Sequence, residues 1–231
     1  MMTNELKQQE HFVSSVQYQP TSADLIKVIT SDCYQLERLA TQYKQAYDWN
    51  GALACLYEAK NNYRDIDDPQ YVVVALRLSL YLQGAGKFEE AKFELQSLIN
   101  ELDTIAELKM RHHSDDKDYG IYIESTKNNL LSEIFDTARK IYKRENLVTE
   151  SNDFANKASQ FRLSQQANFK YLQEQRKIRL DEWKIERENH LNEYHQQSQK
   201  YKATNQLRFL IWVGLGIVAY YIIKTYLRTT Q

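Results

Sequence analysis

Glycine and proline are scarce in this chain, with 6 Gly and 2 Pro among 231 residues. Because these residues occupy most tight turns and sheet corners, their scarcity argues against a β-rich fold and favours long helices. Cysteine is scarce as well: Cys33 and Cys55 lack the spacing of a metal site and lie within helical patterns. We interpret both as small buried hydrophobic residues in a reducing compartment, the alternative being a disulfide between them. The predicted fold class is all-α.

The chain also lacks an excess of charge of either sign, since 30 Lys or Arg stand against 31 Asp or Glu. A net charge of −1 provides no general attraction to nucleic acid. Residues 162–208 hold ten basic and six acidic side chains. The two signs alternate around the predicted helix, which favours a solvated face, with lipid headgroups as the alternative ligand. A nucleic-acid partner is not expected.

The sequence also lacks a recognisable set of catalytic or metal-binding residues. His112 and His113, next to Asp115 and Asp116, form the only local cluster of metal-ligand types, but adjacent histidines point to different sides of a helix. A solvated loop is the favoured interpretation. The Gly-Ala-Gly of residues 84–86 lacks the Lys-Ser/Thr pair of a phosphate-binding loop. We therefore predict no catalytic residue, no metal and no cofactor, and expect the protein not to be an enzyme.

What the chain does have is a hydrophobic run near its C-terminus, FLIWVGLGIVAYYII at residues 209–223. Fifteen residues cover only about 22 Å, less than the roughly 30 Å hydrocarbon core, so the predicted span extends to residue 227 with Lys224 snorkelling. The alternative is a buried core helix. Aromatic and basic side chains near the interfaces support a single transmembrane helix. The anchor residues are Phe209, Trp212, Tyr220, Tyr221, Lys224 and Tyr226.

Residues 1–20 contain neither the apolar stretch of a secretory signal nor an Arg-rich transit peptide. We expect a tail-anchored topology, with the body in the cytosol and only a short tail at 228–231. Either a bacterial inner membrane or a eukaryotic organelle fits this topology. Residues 1–19 are polar and unpatterned, and we predict a mobile arm.

Cap signals divide the next hundred residues into helices. Thr21 and Ser22 begin a predicted helix that reaches about residue 46, and Asp48 caps a second helix over 49–64. Pro69 begins a third, to about residue 82. A fourth follows the Gly-Ala-Gly turn, over 88–105, and the polar stretch 107–117 is predicted to be a loop or frayed helix end.

Apolar and small residues in these helices recur after thirty-nine positions. Each half has an i, i+3, i+4, i+7 stripe followed by a second helix with a small residue, Ala52 or Ala91, that permits close helix approach. The first set is Leu36, Leu39, Ala40, Tyr43, Trp49, Ala52, Leu56 and Ala59, and the second is Ala75, Leu78, Ser79, Leu82, Phe88, Ala91, Leu95 and Leu98.

The segment GKFEEAKFELQSL at residues 86–98 resembles the second-helix signature of the tetratricopeptide repeat family. Tyr43, Trp49 and Ala52 match its characteristic positions in the first unit. The resemblance implies antiparallel helix hairpins stacked into an α-solenoid, and a weaker third unit around Phe135 and Val148 extends the helical domain over 20–158. The alternative is a plain helical bundle.

Residues 159–206 lack Pro and Gly, which predicts a long helical stalk leading to the anchor at 207–227. Its larger side chains approximate a coiled coil, but Arg176, Arg187 and Ser198 interrupt the spacing. Three arrangements remain open: a coiled coil, a single helix supported by i, i+4 charge pairs, and a helix packed back on the repeats.

The resemblance also implies a binding groove formed by first-helix side chains. Such a groove would bind an amphipathic helix through Val73, Leu76 and Leu80. The alternative is that these residues bury the third unit or the stalk. The groove candidates are Tyr34, Glu37, Thr41, Lys44, Val73, Leu76, Leu80 and Gln83.

Together these features predict a non-enzymatic, membrane-anchored scaffold or adaptor that binds a protein partner. The alternative function is a structural accessory subunit of a larger membrane complex. Gly214 and Gly216 suggest a further, weaker prediction, self-association through the anchor. The signal is weak because one residue separates the two glycines, whereas the usual dimer motif has three between them.

Overall fold

The computed structural model describes residues 11–229, without the side chains of residues 203 and 220–229. Every regular element in this range is helical, as the composition predicted, and the range contains no strand. The helices are α1 (Ser22–Leu25), α2 (Cys33–Gln45), α3 (Trp49–Asp65), α4 (Tyr71–Gly84), α5 (Phe88–Asn100), α6 (Leu102–Met110), a 3₁₀ turn (Arg111–His113), α7 (Tyr119–Arg144) and α8 (Val148–Thr229).

Four turns between consecutive helices share one hydrogen-bond pattern. In each, a backbone N–H donates to the carbonyl five residues earlier, from Asp48 to Tyr43, Asp68 to Tyr63, Lys87 to Leu82 and Leu147 to Tyr142. The residue before each donor has positive φ: Tyr47, Asp67, Gly86 and Asn146. This is the Schellman arrangement, in which one left-handed residue ends a helix. Three of the four turns use a residue other than glycine, so a glycine-poor chain still makes tight helical hairpins.

Aspartate side chains cap two helix starts, one at Asp48, as predicted, and one at Asp32, which was not predicted. Asp48 Oδ1 accepts the Gly51 N–H at 3.0 Å at the start of α3. Lys27 Nζ also donates to Asp48, and this hydrogen bond, more than the Gly51 N–H, lowers the pKa of the Asp48 carboxyl. Asp32 caps α2 in the same way, accepting the Gln35 N–H at 2.7 Å. Because of this second cap, the single helix predicted over 21–46 is wrong: residues 26–32 separate α1 from α2.

A second boundary also differs from the prediction. The helix predicted over 88–105 ends at Asn100, and α6 begins two residues later. The polar stretch 107–117, predicted to be a loop or frayed helix end, is helical as far as Met110 and continues into the 3₁₀ turn. No Gly or Pro marks the break, and α6 packs against α7.

Helices that follow one another pack together, α2 on α3, α3 on α4 and α4 on α5, while α7 packs on α4, α5 and α6. Ala52 and Ala91, the small residues expected to allow close approach, are fully buried. The core lies between these helices and is apolar, as burial of helix stripes requires. Its largest fully buried side chains include Leu36, Leu56, Leu78, Leu95, Ile105 and Phe135.

The N-terminal segment packs on the helices from residue 11 onward. Phe12 is 1% exposed, and its N–H donates to Gln96 Oε1 of α5 at 3.0 Å. Its ring lies 5.2 Å from Phe154 and 6.2 Å from Phe135, centroid to centroid. Tyr18 is buried against Tyr57 of α3. The predicted mobile arm over 1–19 therefore needs correction for residues 11–19, while residues 1–10 lie outside the described part of the chain.

The chain divides into two compact units, Met1–Leu172 and Gln173–Gln231. We call residues 11–172 the body and residues 173–229 distal α8. The body extends past the predicted boundary at 158, because Phe161 stacks on Phe135 at 5.7 Å and Leu172 is buried.

No helix in the part of the chain that the structure describes is both long and apolar enough to cross a bilayer.

Candidate protein-binding face

A polar cluster joins α2 to α4, with Arg77 at its centre. The Arg77 guanidinium donates to Glu37 Oε2 at 3.4 Å and to the Glu37 carbonyl at 3.3 Å. It also donates to the Thr41 hydroxyl, and at 3.2 Å to the hydroxyl of Tyr81. Tyr63 of α3 donates to Glu37 Oε1 at 3.2 Å, and burial together with the Glu37 charge raises the pKa of Tyr63 to about 12. We call these five residues the Arg77 cluster.

The cluster continues into a cation–aromatic contact. Lys44 Nζ lies 4.5 Å from the centre of the Tyr81 ring, and the Arg77 guanidinium carbon lies 5.4 Å from the same ring. Trp49 meets the ring edge-on at 6.1 Å. Two cations therefore hold the Tyr81 ring, and Lys44 remains exposed to solvent.

Glu37, Thr41 and Lys44 were predicted groove residues, and the structure brings all three together beside α4. Arg77 and Tyr81, which organise them, were missed. One signal was present: Arg77 is the single charged residue in the otherwise apolar α4 sequence YVVVALRLSLYLQG. A lone cation on a buried helix normally has a partner.

Val73, Leu76 and Leu80, which we call the α4 row, form the apolar part of the predicted groove. Val73 is 44% exposed. Leu76 and Leu80 are half-buried and pack against the core, so part of each side chain is already used inside the body. Only the remaining surface of the row is open to a partner.

Gln83 does not belong to an open groove. Its side chain is buried, its Nε2 donates to Glu145 Oε1 at 2.8 Å, and its Oε1 accepts from Arg144 at 3.1 Å. Both partners lie at the end of α7. Gln83, predicted to line a binding surface, here uses one amide donor and one acceptor to join α4 to the end of α7.

Tyr34 lies apart from the Arg77 cluster. It is exposed and lines a shallow cavity of about 570 Å³ between α2 and residues 29–32. Ile29, Arg38 and Leu39 line the same cavity. All eight predicted groove residues lie on α2 or α4, but they fall into separate places. Glu37, Thr41 and Lys44 gather around Arg77 and Tyr81 of α4, the helix that also carries the α4 row, whereas Tyr34 and Gln83 have other neighbours.

A buried ion pair links α3 to α5. Lys60 of α3 and Glu94 of α5 form two hydrogen bonds, both 2.9 Å, and both side chains are more than nine-tenths buried. The Lys60 ammonium also lies 5.3 Å from the Tyr57 ring. Sequence reasoning missed this pair, since neither residue departs from an ordinary helical pattern.

The other polar candidates have ordinary roles. His113 Nδ1 lies 2.9 Å from Asp116 Oδ2, and the His113 ring stacks on Tyr122 at 5.1 Å. No group of three metal-ligating side chains occurs among residues with described positions. Cys33 and Cys55 are both free thiols, and burial raises the pKa of Cys55 to about 11.

The predicted anchor residues lie in distal α8. Phe209 and Trp212 are exposed, at 68% and 75%. Most of the other large apolar side chains between residues 209 and 218 are exposed as well. The side chains of Tyr220, Tyr221, Lys224 and Tyr226 lie outside the described residues.

No protein-family model matches the chain, and no curated protein or solved structure matches it significantly.

Proposed function

We propose that this chain is a non-enzymatic scaffold or adaptor that binds a protein partner and is held at a membrane by residues 209–227. In this proposal the body is a tetratricopeptide-like stack of helix hairpins. Distal α8 includes the stalk that leads to the anchor, and the body faces the cytosol. The partner would be an amphipathic helix, with its apolar face on the α4 row and an acidic residue near Lys44.

The observation that carries the binding proposal is the surface shared by α2 and α4. It presents an exposed apolar side chain, Val73, on the same helix as a polar cluster whose hydrogen bonds are already made inside the body. Such a surface is pre-organised, because a partner would not need to order Arg77 or Glu37 on binding. Lys44 remains as an exposed cation that can select for an acidic residue.

Support for the membrane proposal comes from distal α8. Leu210, Ile211, Trp212 and Leu215 are all more than half exposed. Water is an unfavourable environment for contiguous apolar side chains, so this stretch requires lipid or protein around it. The uninterrupted sequence 209–223 favours lipid.

The second candidate function is a structural subunit of a larger membrane complex. Exposed apolar side chains on both sides of distal α8, such as Ile178 and Trp183, favour it, because several neighbouring subunits would cover them. Migration as a fixed-stoichiometry component of one large assembly in mild detergent would support the subunit. A dissociable association would support the adaptor.

The binding face is tested with the full-length chain immobilised in mild detergent and exposed to a solubilised extract of its own cells. Val73→Asp removes the exposed apolar contact, and Ile66→Asp is the matched control, since Ile66 is also exposed but lies in the turn after α3. We expect Val73→Asp to lose proteins that both wild type and Ile66→Asp retain. Equal retention by all three would rule out this face.

Membrane attachment is tested separately by alkaline carbonate extraction and protease protection of native vesicles. We expect the chain to stay with the membrane and the body to be digested without detergent. Release into the carbonate supernatant would contradict the anchor, whatever the capture experiment shows.

A further inference from the structure

An eleven-residue repeat runs along α8 and consists of two apolar rows and one polar row. A first row, a second row three positions later and a third row four positions after that follow one another from residue 158 to residue 198. The first row is Ala158, Phe169, Leu180 and Leu191, the second is Phe161, Leu172, Trp183 and Tyr194, and the third is Gln165, Arg176, Arg187 and Ser198. The residues that interrupt a heptad pattern are thus themselves regular, and the period is eleven.

An eleven-residue period has a definite structural meaning. Eleven residues make three turns of about 3.67 residues, close to the 3.6 of a straight α-helix. The three rows therefore form one nearly straight stripe along the helix, which we call the eleven-residue stripe. A partner helix that follows such a stripe supercoils around it with a slight right-handed twist, opposite to a heptad coiled coil.

The stripe has contrasting surroundings in the two units. In the body, Ala158 and Leu172 are buried, and the half-buried Phe161 stacks on Phe135 of α7, although Phe169 is exposed. Part of the stripe there is packed against a neighbouring helix. In distal α8, the first- and second-row side chains Leu180, Trp183, Leu191 and Tyr194 are between 50% and 69% exposed.

We infer that the eleven-residue stripe of distal α8 pairs with the same stripe of a second copy of this chain. Two helices pack continuously only when their apolar periods match, and a second copy has the same period by identity. The charges agree with self-pairing. Residues 173–206 contain seven Lys or Arg and six Asp or Glu, interspersed, so two copies meet without a large repulsion.

The third row determines how the copies align. Copies in parallel register would place Arg187 against Arg187, which is unfavourable. Within one helix the Arg187 guanidinium already lies 5.3 Å from the Trp183 ring. An offset or antiparallel alignment places these arginines over the aromatic second row of the other copy, an arrangement that cation–π attraction stabilises. Polar residues at regular seam positions fix alignment while weakening the pair, so the association is specific and moderate in strength.

The experiment measures the mass of the full-length chain in mild detergent by sedimentation velocity over a range of concentrations. Leu180→Glu with Leu191→Glu places charge on the stripe. The matched control is Ile178→Glu with Ile185→Glu, two isoleucines of similar exposure on the opposite side of the helix, about 140° and 160° around it from Trp183. Far-UV circular dichroism verifies that both variants keep the helical content of the wild type.

We expect wild type and control to form dimers with dissociation constants within about threefold of each other, and the stripe variant to dimerise roughly 100-fold more weakly. A wild type that stays monomeric up to about 100 µM overturns the inference. So does equal weakening by both variants. Undiminished dimerisation of the stripe variant assigns the association to residues 209–227 and also overturns it.

Discussion

Phe135 in the body and Trp183 in distal α8 are both large aromatic residues in the middle of long helices. Phe135 is fully buried and contacts four rings, those of His11, Phe12, Phe154 and Phe161. Trp183 is 54% exposed, and the Arg187 guanidinium of its own helix lies over its ring. The helices of the body and distal α8 are therefore stabilised in different ways.

In the body, tertiary packing stabilises the helices, because α2 to α7 each bury apolar side chains on a neighbour. Distal α8 relies on helix-forming residues and short-range pairs such as Lys184 with Asp181, 3.1 Å apart. Such exposed pairs contribute little each. The proposed contacts of distal α8 with lipid and with a second copy would both cover these exposed apolar side chains.

The largest expected effect contrasts these two aromatic residues. Phe135→Ala leaves a cavity among four rings and should lower the free energy of unfolding of the body by about 3–5 kcal/mol. Trp183→Ala, measured where the chain is monomeric, should change it by less than about 0.5 kcal/mol. Urea denaturation followed by circular dichroism measures both. Similar losses in the two variants would remove the distinction between the regions.

The next effect concerns the buried ion pair of the body. Lys60→Met leaves the Glu94 carboxylate buried without its partner, and we expect a loss of about 3 kcal/mol in the free energy of unfolding. The double variant Lys60→Met with Glu94→Leu should recover most of this loss, since two apolar groups then replace the pair. Lys184→Met in distal α8 is the exposed counterpart and should be near neutral. A large loss in the double variant would contradict this account.

A smaller effect is the pH dependence of stability that His11, in the docked N-terminal segment, contributes. Burial, with a contribution from the Lys157 charge, lowers the pKa of His11 from 6.5 to about 4. The Lys157 ammonium donates to His11 Nδ1 at 3.3 Å, which requires a neutral ring. Between pH 6.5 and 4 the unfolded chain binds a proton that the native chain does not, so stability falls as the pH falls.

Allowing for solvent screening, we expect the His11 contribution to be about 1–2 kcal/mol between pH 7 and pH 4.5. His11→Gln should remove that part of the pH dependence while leaving the remainder unchanged. Denaturation curves at several pH values measure the difference. Parallel curves for wild type and variant would show that His11 does not titrate in this way.

The smallest effect tests the turn geometry of the body. Tyr47 has φ of 61° and is 85% exposed, so its side chain pays a steric cost without a large packing gain. Tyr47→Gly should raise the free energy of unfolding by about 0.5–1 kcal/mol. Thermal denaturation detects this change. Tyr34→Gly, at an exposed helical position of α2, should instead destabilise the body.

Much of the body follows from local signals in the sequence. Asp48 and the Asp-Pro segment before α4 mark helix starts within a residue or two of those observed. The break before α2 was missed although Asp32 is a strong cap, because the apolar pattern runs through it. The break at residue 101 has no local signal at all, since neither Gly nor Pro is present.

The candidate face was only partly predictable. First-helix positions identified Glu37, Thr41 and Lys44, and the structure gathers them. The contacts of Gln83 were not predicted because its partners, Arg144 and Glu145, lie about sixty residues away. The packing of Phe12 was unforeseen for a similar reason, as its pocket combines side chains from α5, α7 and α8.

By itself, the sequence determined that the described part of the chain is helical, where α1, α3, α4 and α5 begin, the apolar run at 209–223 and the eleven-residue period of α8. These features depend on residues within one or a few helical turns of each other along the sequence. Only the tertiary structure decided that Lys60 pairs with Glu94, that Arg77 organises the α2–α4 surface and that residues 11–19 dock on the helices. Such choices depend on which distant side chains the packing brings within hydrogen-bond distance, and local patterns carry no information about that.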